Sequence, residues 1–355
     1  MMKIFISGIC GFVGSTIAKS LLAQDSSIEI SGCDNFIRAG STINKSILEK
    51  LGVKVFYADQ RQPADIESVK DPDWIIECAA NPSVLAGVDG TTSTRQLLDH
   101  NLYGSINLLE LAKTRKSGFI LISTSRVYGI ADLAKFPVVV GDRAYVPDAA
   151  GIYPHDSSKL GVSEGFSTAP PISLYGASKL ASEVLALEYG LTFDFPVWIN
   201  RCGVLAGAGQ FGRPDQGIFA FWINSYIREK SLRYTGFNGT GYQVRDCLHP
   251  RDLTTIILKQ MQYRGEDKPR VINVAGGVQN SMSLKQLSDW LSDRYGERTV
   301  AGDDNYRAFD VPWLVLDSSL AESVWDWRVE TPIESVLEEI CKHAEENPNW
   351  LEIAT

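Results

Sequence analysis

Lys3-Ile4-Phe5-Ile6-Ser7-Gly8-Ile9-Cys10-Gly11-Phe12-Val13-Gly14 is the stretch that decides the fold of this chain. Lys3 to Ser7 reads as a short buried strand. Gly8, Gly11 and Gly14 follow at once, and Ile17, Ala18, Leu21 and Leu22 then recur with a helical period. Strand, glycine turn and helix in that order form the context that a dinucleotide-binding turn requires. Without side chains the backbone approaches a pyrophosphate, whose charge rests on the helix N-terminus. A second apolar strand, Ile28 to Cys33, ends in Asp34, twenty residues beyond Gly14, where a ribose-binding acid belongs. An ordinary strand-to-helix turn would explain the glycines but not Asp34.

The alternation continues along the chain. Val53 to Tyr57 reads as a third strand closed by Asp59, and Trp74 to Cys78 as a fourth closed by Ala79-Ala80. Gln96 to Lys113 reads as one long helix with Asn101 near its start. Phe119 to Ser123 and Phe195 to Asn200 complete the series. Strands spaced by helices predict an α/β fold, a doubly wound parallel sheet (Rossmann), with ligands at the carboxyl ends of its strands. From about Arg201 the pattern loosens into a glycine-rich loop and an aromatic helix, Phe219-Ala220-Phe221-Trp222. We therefore expect a dinucleotide-binding domain over 1–200 and 244–278, and a smaller mixed substrate-binding lobe over 201–243 and 279–355.

Tyr175 and Lys179, in SLYGASKLASEV, supply the chemistry. They lie one helical turn apart on one face. A nearby ammonium favours the phenolate and pulls a tyrosine pKa down from ~10. Such a phenolate beside a nicotinamide ring takes the proton from a sugar hydroxyl while the ring takes the hydride. Both residue types are common on solvated helices, so the pair gains its meaning from the glycine turn and Asp34.

Composition excludes other classes. The 355 residues are 44% apolar and 22% charged, ordinary for a soluble globular protein. With 34 basic and 43 acidic residues the net charge is −9, which argues against a nucleic-acid surface. No apolar run approaches the ~18 residues of a membrane span. Met1-Met2-Lys3 leads straight into the first strand, with no room for a signal peptide. Six scattered cysteines show neither CxxC nor zinc spacing, so no metal is expected and a reducing, cytoplasmic setting is.

Taken together, these motifs resemble those of the extended short-chain dehydrogenases/reductases that act as NAD-dependent nucleotide-sugar epimerases and dehydratases. GxxGxxG, Asp34-Asn35, STSRVYG, Tyr-x-x-x-Lys and VRDCLHPRDL occur in the family's order, nearly end to end. Within that family, DNFIRAGSTIN, GQFGRPDQGIFAFWI and GTGYQVRDCLHPRD look most like CDP-tyvelose (CDP-paratose) 2-epimerases. The resemblance implies Thr124 as the hydroxyl that binds the reacting oxygen, Tyr175 as acid/base, and Lys179 as its partner and ribose ligand. It implies NAD contacts from Gly8, Gly11, Phe12, Val13, Asp34, Asn35, Arg38, Asp59, Gln60, Ala79, Ala80 and Asn101. Substrate contacts are implied for Arg201, Gln216, Gly217, Arg245 and Arg307, the last two gripping a diphosphate bidentately. Asn101 is equally readable as a polar residue satisfied inside a helix packing, and Arg38 and Arg307 as solvated arginines. The resemblance also implies a nucleotide-diphosphosugar partner and a homodimer built from the helices carrying Leu97 to Leu109 and Leu180 to Leu187.

Departures narrow the reaction. Dehydratases of the family carry Asp-Glu where Ser125-Arg126 stand here, and water elimination needs that extra acid and base. Asn81-Pro82 replace a glutamine that often follows the fourth strand. The connection between Tyr128 and Tyr175 reads either as a cap on the sugar pocket or as a surface excursion. Three functions stay open: epimerisation at C2, the same scaffold acting at C4 or as an NADP-linked reductase, and a non-catalytic dinucleotide sensor.

Overall fold

The computed structural model describes residues 1–88, 90 and 92–354. Seven parallel strands form the main sheet: β1 (Lys3–Ser7), β2 (Glu29–Asp34), β3 (Lys54–Tyr57), β4 (Trp74–Glu77), β5 (Gly118–Thr124), β6 (Val197–Cys202) and β8 (Val271–Val274). Their spatial order is β8-β6-β5-β4-β1-β2-β3. The order reverses beside β1, which is the topological switch point where such sheets bind ligands. Six of these strands were legible in the sequence; the seventh, Val271–Val274, was not read as a strand.

The apolar runs are continuous because both sheet faces are covered. Ile4, Ile6, Ile76 and Ile120 point to one face and pack with Ile17, Leu21 and Ile257. That face is roofed by α1 (Phe12–Gln24) and α6 (Leu253–Gln262), while α2 (Ser41–Lys50) lies beside α1. Phe5, Ile75, Phe119 and Leu121 point to the other face and meet Leu108, Leu109 and Ala186, on α3 (Gly104–Arg115) and α4 (Ser173–Phe193). This is the period-2 alternation of a strand buried on both sides.

A second, four-stranded sheet joins Val204–Leu205, β7 (Val244–Leu248), Ser281–Ser283 and Trp313–Leu314. Of the segment 244–278, β8 thus lies in the large sheet and β7 does not. The small lobe has its own core, in which Phe219, Trp222, Ile223 and Tyr226 of α5 (Ile218–Ile227) pack on α8 (Ile333–Glu346). Leu287 and Leu291 of α7 (Leu284–Tyr295) join them.

The long helix expected over Gln96 to Lys113 is present, running on from Thr94 to Arg115, with a π turn at Asp99–Tyr103 between Thr94–Leu98 and α3. The extra residue in that turn directs Asn101 inward, onto the loop after β4. The connection from Tyr128 to Tyr175 does not cap the cleft. It folds into a hairpin, Val138–Val140 with Tyr145–Pro147, whose Tyr145 and neighbouring Phe136 pack on Phe237, Tyr242 and Trp313.

Candidate active site

One cleft of about 730 Å³ runs along the carboxyl ends of β1, β2, β4, β5 and β6. Its size suits a cofactor and a ligand in contact. At one end lies the glycine turn. Gly8 has φ +65°, and a Cβ there would stand 2.7 Å from Ala79 Cα. A Cβ on Gly14 would collide with the Gly8 carbonyl. Both positions thus exclude a side chain, which keeps the floor of the cleft at backbone level. No side chain caps the N-terminus of α1 at Gly11, so the first-turn amides are available to an anion.

Asp34 closes β2 into this turn. Its Oδ2 accepts from Cys10 N at 3.0 Å and its Oδ1 from Phe36 N at 2.9 Å. Burial raises its pKa, and the backbone amides pull it back. A carboxylate so fixed fits a ribose diol. Arg38, a candidate neutraliser of a 2′-phosphate, is engaged elsewhere: its Nη2 donates to Phe211 O at 2.8 Å, and the Gln216 amide faces the same guanidinium. Further along, Asn35 Nδ2 donates to Asp59 Oδ2 at 3.1 Å, and Arg61 grips the same carboxylate. Burial works upward on Asp59, but those hydrogen bonds hold it well below the usual carboxylate range.

The middle of the cleft carries Thr124, Tyr175 and Lys179. β5 ends in Thr124, whose Oγ1 accepts from Arg126 N at 3.2 Å. Tyr175 and Lys179 sit one turn apart on α4 and are both buried. The expected downward shift of Tyr175 is not what this environment gives by itself. Burial raises the phenol above its ordinary value, while the Thr124 hydrogen bond and the Arg126 charge act against it.

At the far end, Arg245 Nη2 donates to Asp310 Oδ1 at 2.6 Å and to Val311 O at 2.9 Å. Arg307 Nη2 donates to Pro214 O at 3.3 Å. Gln216 and Gly217 line the same wall. Arg126, which reaches Phe309 O with Nη1 at 3.2 Å, adds a third guanidinium. Arg126, Arg213, Arg245 and Arg307 against Asp215 and Asp310 leave this end positive, as a diphosphate requires.

The residues brought together are Gly8, Gly11, Phe12, Val13, Asp34, Asn35, Arg38, Asp59, Gln60, Ala79, Ala80, Thr124, Tyr175, Lys179, Gln216, Gly217, Arg245 and Arg307. Two others are not among them. Asn101 is fully buried; its Oδ1 accepts from Asn81 N at 2.7 Å and its Nδ2 donates to Asn81 O at 3.0 Å. It fixes the loop after β4 from behind. Arg201 points from β6 away from the cleft to Glu183 of α4, where Nη2–Oε2 is 2.7 Å. The resemblance implied a substrate contact for Arg201; in the structure it lies within β6 and forms a buried ion pair away from the cleft. Asn81, Pro82 and Ser83 line the cleft, whereas Asp89 and Thr91 of the same loop lie outside the described residues. Sequence reasoning did not place Asp310, Phe309 or Gln243 at the site, and nothing in their local patterns marks them.

The chain is 28% identical to a CDP-paratose 2-epimerase of Salmonella typhi, over 82% of its own length and 84% of that protein's. It is 24% identical to a UDP-glucuronate 4-epimerase of Thermodesulfobacterium geofontis, over 96% of both. Its fold matches UDP-glucuronic acid 4-epimerase of Bacillus cereus, solved with UDP-glucuronic acid and NAD, at a TM-score of 0.77 and 23% identity, covering 97% and 99% of the two chains. It also matches UDP-glucose 4-epimerase of Bifidobacterium longum, solved with NAD+ and UDP, at 0.79 and 19%, covering 98% and 100%. The model of the NAD dependent epimerase/dehydratase family matches residues 4–275, which hold the glycine turn, Asp34, Thr124, Tyr175 and Lys179, and the chain belongs to that family of NAD-using enzymes.

Proposed function

We propose that this enzyme epimerises a nucleotide-diphosphosugar at C2, of the CDP-paratose/CDP-tyvelose type, by lending a hydride to tightly held NAD and recovering it on the other sugar face. The observation that carries the reading is the presence of Thr124, Tyr175 and Lys179 in the same cleft as the glycine turn and Asp34. The choice of C2 is supported by the 28% identity to a CDP-paratose 2-epimerase. Thr124 orients the reacting hydroxyl and Tyr175 removes its proton as the carbonyl forms. Lys179 stabilises the phenolate, and Tyr175 returns the proton to the keto-sugar after it turns over. Arg245 and Arg307 hold the diphosphate while the sugar rotates. Asp34 accepts hydrogen bonds from the ribose diol. Ser125-Arg126 supply no acid/base pair for eliminating water, which favours epimerisation over dehydration.

With CDP-paratose as substrate, deuterium at C2 should remain at C2 of the product. Loss of the label to water would mean deprotonation at carbon and sink the hydride mechanism. Inversion at C4 with C2 untouched would reject only the position.

We also infer a homodimer through α3 and α4, which pack along each other and leave Tyr103, Val184 and Leu191 exposed nearby. Closed twofold pairs are the commonest assemblies. Light scattering should return twice the monomer mass; a monomer at micromolar concentration contradicts the inference.

A further inference from the structure

β4 is apolar through Trp74, Ile75 and Ile76 and then ends in a fully buried glutamate, Glu77. A carboxylate there has lost its water and needs compensation. Its Oε1 accepts from Ser105 Oγ at 2.6 Å and lies 4.0 Å from Lys179 Nζ, while Oε2 has no partner among the described residues. Lys179 is itself 2% exposed, and Glu77 is its one acidic partner among the described residues. The ammonium therefore stands between the cleft above and a buried carboxylate below. Ser105 is held in turn: its hydroxyl lies 3.0 Å from Ser182 Oγ and 2.8 Å from Asn101 O. These contacts tie Glu77 to α3, to α4 and to the π turn.

We propose that Glu77 is a positioning residue, the ionised counter-charge that holds the Lys179 ammonium beneath the cleft and sets how strongly it acidifies Tyr175. This rests on the roles assigned above to Tyr175 and Lys179. A further positive charge acting on the phenol is Arg126, which favours its ionisation. The Arg126 backbone presses on α4 beside Tyr175, because a Cβ on Gly176 would collide with its carbonyl. The other titratable groups facing this trio are Cys78 after β4 and Cys202 on β6. Burial pushes both thiols up, Cys202 to about 12, so neither carries charge near neutrality. Glu183, one turn beyond Lys179, is already paired with Arg201. Burial raises Glu77 itself, with Lys179 and Ser105 opposing.

The test is a near-ultraviolet titration of the Tyr175 phenolate in the holoenzyme, each variant read against the same variant carrying Tyr175→Phe. Glu77→Gln keeps the shape and an acceptor for Ser105 but removes the charge. The phenol should then titrate lower by roughly one pH unit or more, since an opposing charge has gone. The bell-shaped rate profile should shift to lower pH with it. Glu77→Asp keeps the charge and should titrate close to wild type. An unmoved phenol in Glu77→Gln, or an equal displacement in Glu77→Asp, overturns the proposal. If circular dichroism shows that Glu77→Gln does not fold, Ser105→Ala carries the test. Loss of that hydrogen bond disfavours the carboxylate and should move the phenol the same way by less; no movement overturns the proposal. The titration needs no sugar, so a failed label experiment and a failed Glu77 experiment remain distinct.

Discussion

Arg201→Met is predicted to harm stability and to spare the chemistry. In the native state the guanidinium grips Glu183 through Nε, at 3.1 and 3.2 Å, and through Nη2, at 2.7 Å. The two side chains are 9% and 2% exposed. At 2.7 Å and an effective dielectric constant of ~20, the gross attraction is about 6 kcal/mol. Desolvation of both ions offsets most of it. Removing the arginine alone keeps the cost of burying Glu183 and discards what balanced it, a loss of about 3–5 kcal/mol. Ser123 still donates to Glu183 at 2.5 Å, which argues for the lower end, about 3 kcal/mol. Methionine keeps the aliphatic stem but gives up the guanidinium that lies over the Tyr128 ring, 5.1 Å from its centroid. Equilibrium urea unfolding should show the loss as a lower midpoint with an unchanged slope. The folded variant should retain NAD and near-normal KM. Adding Glu183→Leu should recover part of the loss, because the stranded charge is gone. An unchanged midpoint with a raised KM would refute this and return Arg201 to the substrate.

Tyr175→Phe should lower turnover by ~10²-fold or more, the usual scale for a positioned general base, while leaving NAD affinity nearly unchanged. Lys179→Met should harm both, and steady-state kinetics with a NAD-binding titration separate the two cases. Asp246 on β7 accepts from Val204 N and Leu316 N, each at 3.2 Å, and burial raises its pKa to about 6. The folded state therefore favours the protonated form: the stability it contributes is full below about pH 4 and lost as pH rises through 6. The unfolding free energy of wild type relative to Asp246→Asn should fall by on the order of 2–3 kcal/mol across that window and stay flat above it. A difference independent of pH would show that this carboxyl does not titrate there.

What the sequence disclosed was whatever is encoded by neighbours in the chain. Asp34, Asp59 and Thr124 close apolar runs, and a parallel sheet brings all such ends to one edge, so strand-end polar residues were legible as site residues before any contact was known. The resemblance carried Arg201 to the substrate, and the strand-end rule said nothing of Glu77. Both occur at or near strand ends, yet one points under α4 and the other lies beneath Lys179. A strand alternates its faces, and which face looks into the cleft depends on the helix packed there, which no local pattern states. Asp310 and Phe309 were invisible for a different reason. They come from an irregular segment of the small lobe held at the cleft by Arg126, Arg245 and Gln243, contacts spanning 183, 65 and 67 residues of chain. On the proposed function, chemistry at the Tyr175 end is written in short motifs on regular elements, while recognition at the Arg245 end depends on long-range closure of the lobe. Specificity for one nucleotide sugar belongs to that second category. Such a segment is freer to diverge than the Thr124, Tyr175 and Lys179 set, because a loop can change its contacts without disturbing the sheet.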